Sequence, residues 1–265
     1  MPERVWFVTG GSSGVGLALA KALIEKGERV AVTSRSRSRL EKQVGAASPS
    51  FLPLEVDLAD ETSVRDALER TNEAFGRIDV LVNNAGYAQT GAVEELSDAE
   101  FRRQFDINLF GVVNVLRLGI PYLRRQRSGH IFNISSIAGF AGFGKAAAYC
   151  ASKFAVDGLS HSLADELRPF GISVTSVKPG AMETNFFKAV TGPARSLEAY
   201  RSDDAAGHIS TFLPAETAAE AILACSESTN PPVDLFLGAD AFAGAKARIE
   251  RTLAEIADTE TAYAI

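Results

Sequence analysis

The sequence of residues 4–27, RVWFVTGGSSGVGLALAKALIEKG, combines an apolar run, a glycine-rich turn and a segment with helical periodicity. The apolar run Arg4–Val8 predicts a strand, and Leu17–Lys26 predicts a helix that stops at Gly27. Glycines between them allow a tight turn and let a pyrophosphate approach the unpaired N–H groups at the helix N-terminus. The stretch therefore predicts phosphate binding, and an ordinary loop is the alternative.

Strands and helices alternate along the rest of the chain. Apolar runs predict further strands at residues 28–33, 51–56, 78–82, 130–135, 172–177 and 233–237. Helical patterns occupy 61–75, 97 to about 127, 149 to about 168, 214 to about 225 and about 239–260. Pro121 should kink the second of these helices or mark a second start. The alternation predicts one α/β domain over residues 1–265, a Rossmann fold with a doubly wound parallel sheet of about seven strands and helices on both faces.

Composition narrows the class of ligand. The net charge of −6 leaves no basic stripe for nucleic acid or an anionic membrane, so a small-molecule partner is expected. The two cysteines have no paired spacing and the three histidines are far apart, so we expect neither a disulfide framework nor a metal site. The chain has no signal-peptide pattern and no apolar run that could span a bilayer, which favours a cytoplasmic protein.

Tyr149 and Lys153 lie four residues apart in AAAYCASK, residues 146–153. This alanine-rich run favours a helix, and i, i+4 side chains share one helix face. A neighbouring ammonium favours the phenolate, so we expect Lys153 to lower the pKa of Tyr149 towards neutrality. Tyr149 is therefore a candidate acid/base. An ordinary exposed helical pair is the alternative for Tyr-x-x-x-Lys taken alone.

Ser136 follows the apolar run 130–135, which predicts a buried strand. That strand would deliver the Ser136 hydroxyl to its carboxyl-terminal edge. A hydroxyl there could hold a substrate oxygen while Tyr149 protonates it.

The end of the second predicted strand bears on the choice of cofactor. An acidic residue there would hold the 2′-hydroxyl of NAD, whereas this chain has Ser34 and Arg35. The small Ser34 side chain leaves room for a 2′-phosphate, and Arg35 can pair with that phosphate, so NADP(H) is favoured. The alternative is that Arg35, Arg37 and Arg39 are the solvated start of a helix.

The glycine spacing is G-x-x-x-G-x-G and follows a threonine. With Asn83-Asn84-Ala85-Gly86, Asn108, Ser136, Tyr149/Lys153 and Pro179-Gly180 in the same order, the chain resembles the classical short-chain dehydrogenase/reductase family. Among its members it resembles NADP-preferring carbonyl reductases and 17β-hydroxysteroid dehydrogenases. Some NADP-preferring relatives carry a basic residue in the glycine turn, and this chain does not.

The resemblance implies roles for particular residues. The catalytic set would be Asn108, Ser136, Tyr149 and Lys153, with Asn108 bending its helix and holding a water that leads from the lysine to solvent. The cofactor set would be Thr9, Gly10, Ser12, Ser13, Gly14, Val15, Gly16, Ser34, Arg35, Asp57, Leu58, Asn84, Ala85, Gly86, Tyr149, Lys153, Pro179, Gly180 and Thr184. Asp57 could equally be the N-cap of the following helix. A homodimer or homotetramer is also implied.

The expected activity is hydride transfer between NADP(H) and a carbonyl or alcohol, with Tyr149 moving the proton. Residues 185–213 break the alternating pattern and carry scattered aromatic and aliphatic residues, which suggests a substrate lid and a bulky apolar substrate. Tyr87, Phe140 and Phe143 could add to the apolar wall of the substrate pocket, or they could be ordinary core residues. The alternatives are an NADP-sensing binding protein without turnover, and an epimerase or dehydratase of the same family.

Overall fold

The computed structural model describes residues 3–184, 190–200 and 212–263. The strands are β1 Val5–Val8, β2 Arg29–Ser34, β3 Phe51–Glu55, β4 Val80–Asn83, β5 Gly129–Ile134, β6 Ile172–Pro179, β7 Met182–Glu183, β8 Leu213–Pro214 and β9 Asp234–Leu237. The helices are α1 Gly14–Glu25, α2 Arg37–Val44, α3 Glu61–Phe75, α4 Asp98–Phe105, α5 Gly111–Gln126, α6 Ala147–Leu167, α7 Ala215–Ser226 and α8 Ala239–Tyr263.

The main sheet has seven strands in the order β3-β2-β1-β4-β5-β6-β9, and every pairing in it is parallel. One apolar core joins the sheet to α1, α2 and α7, through Leu19, Leu40 and Ile222 among others. A second core joins the opposite face to α3, α5 and α6. Helices on both faces of a parallel sheet confirm the predicted doubly wound fold.

The order of the strands positions the functional residues. The strands β1 to β3 are added towards one edge of the sheet and β4 to β6 towards the other, so the order of strands reverses beside β1, which has β2 on one side and β4 on the other. All parallel strands end at one edge, and a crevice opens there at the reversal point. The segments that follow β1, β2, β3, β4, β5 and β6 therefore meet along that edge.

Several local details differ from the sequence predictions. The N-cap of α3 is Asp60, whose carboxylate accepts from the Thr62 N–H at 3.0 Å, so the N-cap assignment of Asp57 is wrong. Helix α5 runs through Pro121 without a second start, and the irregularity lies at Asp106–Phe110, which forms a π-helical turn. Helix α2 begins at Arg37, so Arg37 and Arg39 lie at the start of a helix, as the alternative interpretation of the three arginines predicted, and Arg35 precedes it.

Of the predicted lid, 185–213, the structure describes residues 190–200 and 212–213, and the other residues lie outside its described part. The segment 190–200 runs beside the segment 88–100, where the Glu95 carboxylate accepts from the Leu197 N–H at 2.9 Å and the Glu100 carboxylate accepts from the Ala194 N–H at 2.8 Å. Strand β8 at the end of this region pairs with β7 in a small parallel sheet that was not predicted. No helix in the described part of the chain is both long and apolar enough to cross a membrane.

Candidate active site

The glycine turn is tied to the end of β4. The Thr9 hydroxyl accepts from the backbone N–H of Asn84 at 3.0 Å and of Ala85 at 3.1 Å. The Asn84 side chain donates back to the carbonyls of Thr9 at 2.9 Å and Gly10 at 3.1 Å. Thr9 and Asn84 thus hold two walls of the crevice in register, and Thr9, being 1% exposed, acts through these contacts.

Two glycines of the turn are required by close packing. A Cβ atom on Gly10, which has φ of +70°, would lie 2.7 Å from the Ala85 Cα. A Cβ on Gly16 would lie 2.5 Å from the Asn84 amide nitrogen. Val15 is buried in the apolar core, so only its backbone can face the crevice. The bare backbone of the turn leaves room for a bound phosphate to approach.

The N-terminus of α1 differs from those of α2, α3 and α4. Its N-cap, Ser13, makes no side-chain capping hydrogen bond, whereas Ser36, Asp60 and Ser97 each cap their own helix. Uncapped N–H groups and the positive end of the helix dipole favour an anion. This end of α1 lies next to the glycine turn, and Thr184 lies over it, since a Cβ on Gly14 would be 3.5 Å from the Thr184 side chain.

Ser136, Tyr149 and Lys153 converge where β5 ends. Ser136 begins a 3₁₀ turn, and its hydroxyl accepts from the Ala138 N–H at 3.1 Å and is hydrogen-bonded to the Tyr149 side chain. Lys153, one turn further along α6 than Tyr149, places its Nζ 5.9 Å from the centre of the tyrosine ring. The Nζ also donates to the Ile134 carbonyl at 2.6 Å. The three side chains predicted from the sequence therefore share one location.

Burial governs the ionisation of this cluster. Burial raises the pKa of Tyr149 to about 12, against a smaller lowering caused by its hydrogen bond to Ser136. Burial lowers the pKa of Lys153 to about 8. The expectation that Lys153 lowers the Tyr149 pKa towards neutrality is thus wrong for this structure. Desolvation of the buried phenolate outweighs the lowering that the Ser136 hydroxyl provides.

Asn108 is 1% exposed and lies in the π-helical turn. Its amide oxygen accepts from the Tyr87 N–H at 3.1 Å, and its amide nitrogen donates to the Tyr87 carbonyl at 3.0 Å and to the Ser152 hydroxyl at 3.2 Å. Ser152 in turn donates to the Tyr149 carbonyl at 2.7 Å. Asn108 therefore joins the loop after β4 to the helix that carries Tyr149. The sequence analysis did not predict Ser152 as a site residue. Its position between Tyr149 and Lys153 in the sequence was the signal that could have indicated it.

The turn after β6 is held by the start of α8. The carboxylate of Asp240 accepts from the Ala181 N–H at 2.6 Å. A Cβ on Gly180 would lie 2.1 Å from an Asp240 oxygen, so this carboxylate packs directly on the Pro179-Gly180 turn. Asp240 is a second residue that sequence reasoning missed, because a single aspartate at a helix start carries no specific signal.

Lys178, immediately before that turn, has a fully buried side chain. Its ammonium pairs with Asp157 of α6 at 2.5 Å and with Asp234 of β9, and it lies 5.4 Å from the Phe236 ring centre. His161 also contacts Asp234, at 2.9 Å. The two carboxylates and the imidazole could ligate a cation, but the ammonium of Lys178 already takes that position. The cluster therefore joins β6, α6 and β9.

Four residues of the predicted cofactor set, Ser34, Arg35, Asp57 and Leu58, lie at or after the ends of β2 and β3. Arg35 is exposed, and the Ser34 hydroxyl accepts from the Ser36 N–H at 3.3 Å. Asp57 is exposed and accepts from the Ala59 N–H at 3.0 Å, while Leu58 is half-buried. These positions adjoin the crevice edge and leave the Arg35 guanidinium facing solvent.

The three aromatic residues predicted to line the substrate pocket lie in different environments. Phe140 packs edge-on against Phe236, with ring centres 5.3 Å apart, in a small apolar cluster with Ile137. Phe143 is 51% exposed. Tyr87 is half-buried, and burial raises its pKa. Phe140 thus belongs to a packed core, whereas Phe143 is available to a ligand.

Residues 4–194 match the sequence model of a family described as short chain dehydrogenase. Over 186 residues the chain is 42% identical to the 3-ketodihydrosphingosine reductase of Bacteroides thetaiotaomicron, an alignment that covers 70% of this chain and 66% of that protein. The chain therefore spans about two thirds of the length of this relative.

Solved structures extend the similarity to the whole fold. A short-chain dehydrogenase from Streptomyces avermitilis superposes with a TM-score of 0.91 at 34% identity, covering 98% of this chain and 97% of that one. A 3-ketoacyl-(acyl-carrier-protein) reductase from Brucella melitensis, complexed with NADH, superposes with a TM-score of 0.78 at 26% identity, covering 88% and 96%.

Proposed function

The chain belongs to the short-chain dehydrogenase family and is an oxidoreductase of that family, and on this premise we propose that it interconverts a carbonyl and an alcohol with NADP(H). The observation that carries the proposal is the convergence of Ser136, Tyr149 and Lys153 at the end of β5. Lys153 also faces the loop after β4, because a Cβ on Gly86 would lie 3.6 Å from its Nζ. The cluster thus adjoins the crevice in which a cofactor would lie.

The residues of the crevice fit a dinucleotide. The uncapped start of α1 and the glycines at 10 and 16 offer a bare, positively polarised cradle for a pyrophosphate. Asn84, Ala85, Gly86 and Lys153 would flank the adjoining ribose, and the Pro179-Gly180 turn with Thr184 would flank the nicotinamide. When bound, the nicotinamide would supply or accept the hydride.

Side chains of the protein would supply the proton that the substrate oxygen takes up during reduction. In the direction of reduction the substrate oxygen accepts a hydrogen bond from Ser136 and a proton from the Tyr149 hydroxyl. The raised pKa of Tyr149 keeps the phenol protonated at neutral pH, as a proton donor must be. Lys153, whose pKa is about 8, is largely charged at neutral pH and would stabilise the phenolate that remains. Asn108 would hold the Tyr87 loop against α6 through Ser152.

NADP(H) is proposed over NAD(H) because Arg35 stands exposed after β2, where a 2′-phosphate would lie, and no acidic residue follows that strand directly. The similar Brucella melitensis structure holds NADH, so the proposal rests on Arg35. A bulky apolar substrate is supported by exposed Phe143 and by the similarity to a protein named 3-ketodihydrosphingosine reductase.

The test is Tyr149→Phe, assayed for oxidation of NADPH with a panel of apolar and polar ketones. Tyr122→Phe, a half-buried tyrosine on α5, is the matched control. We expect kcat/KM to fall by about a hundredfold or more for Tyr149→Phe and to stay unchanged for the control. Binding of NADPH, followed by its fluorescence, should persist in both.

Equal turnover by Tyr149→Phe and the wild type would reject the assignment of the proton donor. NADPH binding without turnover by the wild type across the panel would favour a sensing protein. Substrate conversion without net NADPH consumption would favour an epimerase or dehydratase.

A further inference from the structure

Helix α8 extends beyond the body of the molecule. Near its start Ala241 and Ala245 are buried, whereas every residue from 253 to 263 is exposed. These last eleven residues span about 16 Å at the usual rise of a helix. An isolated helix of this length is marginal in water. The end of α8 therefore lacks the packing that normally stabilises a helix.

The exposed part of α8 carries an apolar stripe. Ile249, Leu253 and Ile256 are 47%, 61% and 49% exposed and follow the i, i+4, i+7 spacing of one helix face. Phe154 of α6 is 42% exposed and lines, with Ile249 and Leu253, a groove of about 380 Å³ between α6 and α8. Contiguous exposed apolar surface of this kind marks an interaction site.

Six of the eight charged residues of α8 are arranged symmetrically about Leu253. Basic residues stand seven, five and two positions before it and acidic residues two, five and seven positions after it: Lys246, Arg248, Arg251, Glu255, Asp258 and Glu260. Lys246 and Glu260 are two full heptads apart and share the face of Leu253. Arg251 and Glu255 lie on the far side of the helix, 4.0 Å apart.

We propose that the stripe of Ile249, Leu253 and Ile256 is a dimer interface, in which α8 of a second copy packs antiparallel about a two-fold axis at Leu253. Such an axis makes the interface self-complementary. It places Lys246 opposite Glu260 of the other copy, twice, and it brings the second copy's Ile256 beside Ile249 and Phe154. A parallel arrangement would instead place Lys246 against Lys246. Glu250 stands at the edge of the stripe, where it remains exposed to solvent.

The apolar part of the proposal is tested with Leu253→Asp, using molar mass from light scattering after size exclusion. Val93→Asp is the matched control, since Val93 is 63% exposed and distant from α8 in sequence. We expect Leu253→Asp to halve the molar mass at concentrations where the wild type and Val93→Asp are fully assembled. Equal masses for Leu253→Asp and the wild type would overturn the proposal. A monomeric wild type would also overturn it. If that monomer sediments with phosphatidylcholine vesicles, the stripe would be assigned to binding a lipid surface instead.

The antiparallel register is tested with Lys246→Glu and Glu260→Lys. Each variant alone turns two attractions into two repulsions, so we expect its dimer to dissociate about tenfold more readily. An equimolar mixture should recover the wild-type constant, because in the heterodimer both contacts again join an acidic side chain of one chain to a basic side chain of the other. The two positions are fourteen residues apart on one helix, so recovery on mixing cannot arise within one chain. A mixture that dissociates like the single variants would overturn the register.

Discussion

At the scale of single residues, burial decides the charge of the groups at the candidate site. Lys153 is 5% exposed, and its ammonium has the Ile134 carbonyl as a neutral acceptor. Tyr149 is hydrogen-bonded to Ser136, a neutral hydroxyl. Neutral partners of this kind offset little of the cost of burying a charge. Both pKa values therefore move in the direction that favours the uncharged side chain.

Lys153→Met should stabilise the folded protein while removing activity. The folded pKa of Lys153 is about 8, below the usual 10.5, so the unfolded chain binds the proton more tightly. The resulting penalty on stability is complete below about pH 8 and disappears as the pH rises towards 10.5. After allowing for the lost hydrogen bond to Ile134, we expect a gain of about 2 kcal/mol at pH 7, measured by urea unfolding.

Lys21→Met, at an exposed position on α1, is the control and should leave the unfolding free energy unchanged. A gain for Lys153→Met that is the same at pH 7 and pH 10 would show that the charge of Lys153 is not its cause.

Sequence reasoning located these residues but misjudged their ionisation. The four-residue spacing of Tyr149 and Lys153 in a helix-forming run was sufficient to place them together. The sign of the pKa shift was not accessible, because desolvation depends on how β5, α6 and the loop after β4 close around the phenol. Thr9 and Asn84 show the same limit, since their mutual hydrogen bonds require two chain segments to be seen together.

At the scale of elements, Lys178 joins three segments that carry the candidate site. Asp157 lies one turn beyond Lys153 on α6, and Asp234 begins β9. Since Lys178 immediately precedes the Pro179-Gly180 turn, its two ion pairs fix the position of that turn relative to α6. Asp240 holds the other side of the same turn.

Lys178→Met should destabilise the protein by about 3 kcal/mol, because it leaves two neighbouring carboxylates without their shared cation. Lys42→Met, an exposed lysine on α2, is the control. The free energy of unfolding should be restored in large part by adding Asp234→Asn, which removes one of the unpaired charges. Unfolding free energies within error of the wild type for Lys178→Met would show that the two ion pairs do not stabilise the fold.

Elements with strong periodicity were predicted well, and those set by tertiary contacts were not. The seven main strands and the α1, α3 and α6 helices follow from apolar runs and helical spacing. The π-helical turn at Asp106–Phe110 could not be predicted from the pattern, since Asn108 there bonds to Tyr87 and Ser152 rather than within its own helix. The pairing of β7 with β8 joins residues about thirty positions apart and left no local signal.

At the scale of the whole molecule, the candidate cofactor crevice draws on residues from Thr9 to Thr184. A ligand bound along the carboxyl edge would contact the segments after β1, β2, β3, β4, β5 and β6 at once. Because these segments belong to one continuous sheet, ligand binding should stabilise the entire domain rather than one loop.

Cofactor binding should therefore raise the melting temperature, and by more with NADPH than with NADH. At a hundred times its dissociation constant a ligand adds about 2.7 kcal/mol. For a chain of this size that amounts to a rise of roughly 5–10 °C, measured by scanning calorimetry. Arg35→Glu should remove most of the NADPH effect and leave that of NADH, while Arg70→Glu, on α3, should change neither. Equal shifts with the two cofactors in the wild type would contradict a 2′-phosphate contact at Arg35, and no shift with either would contradict the crevice itself.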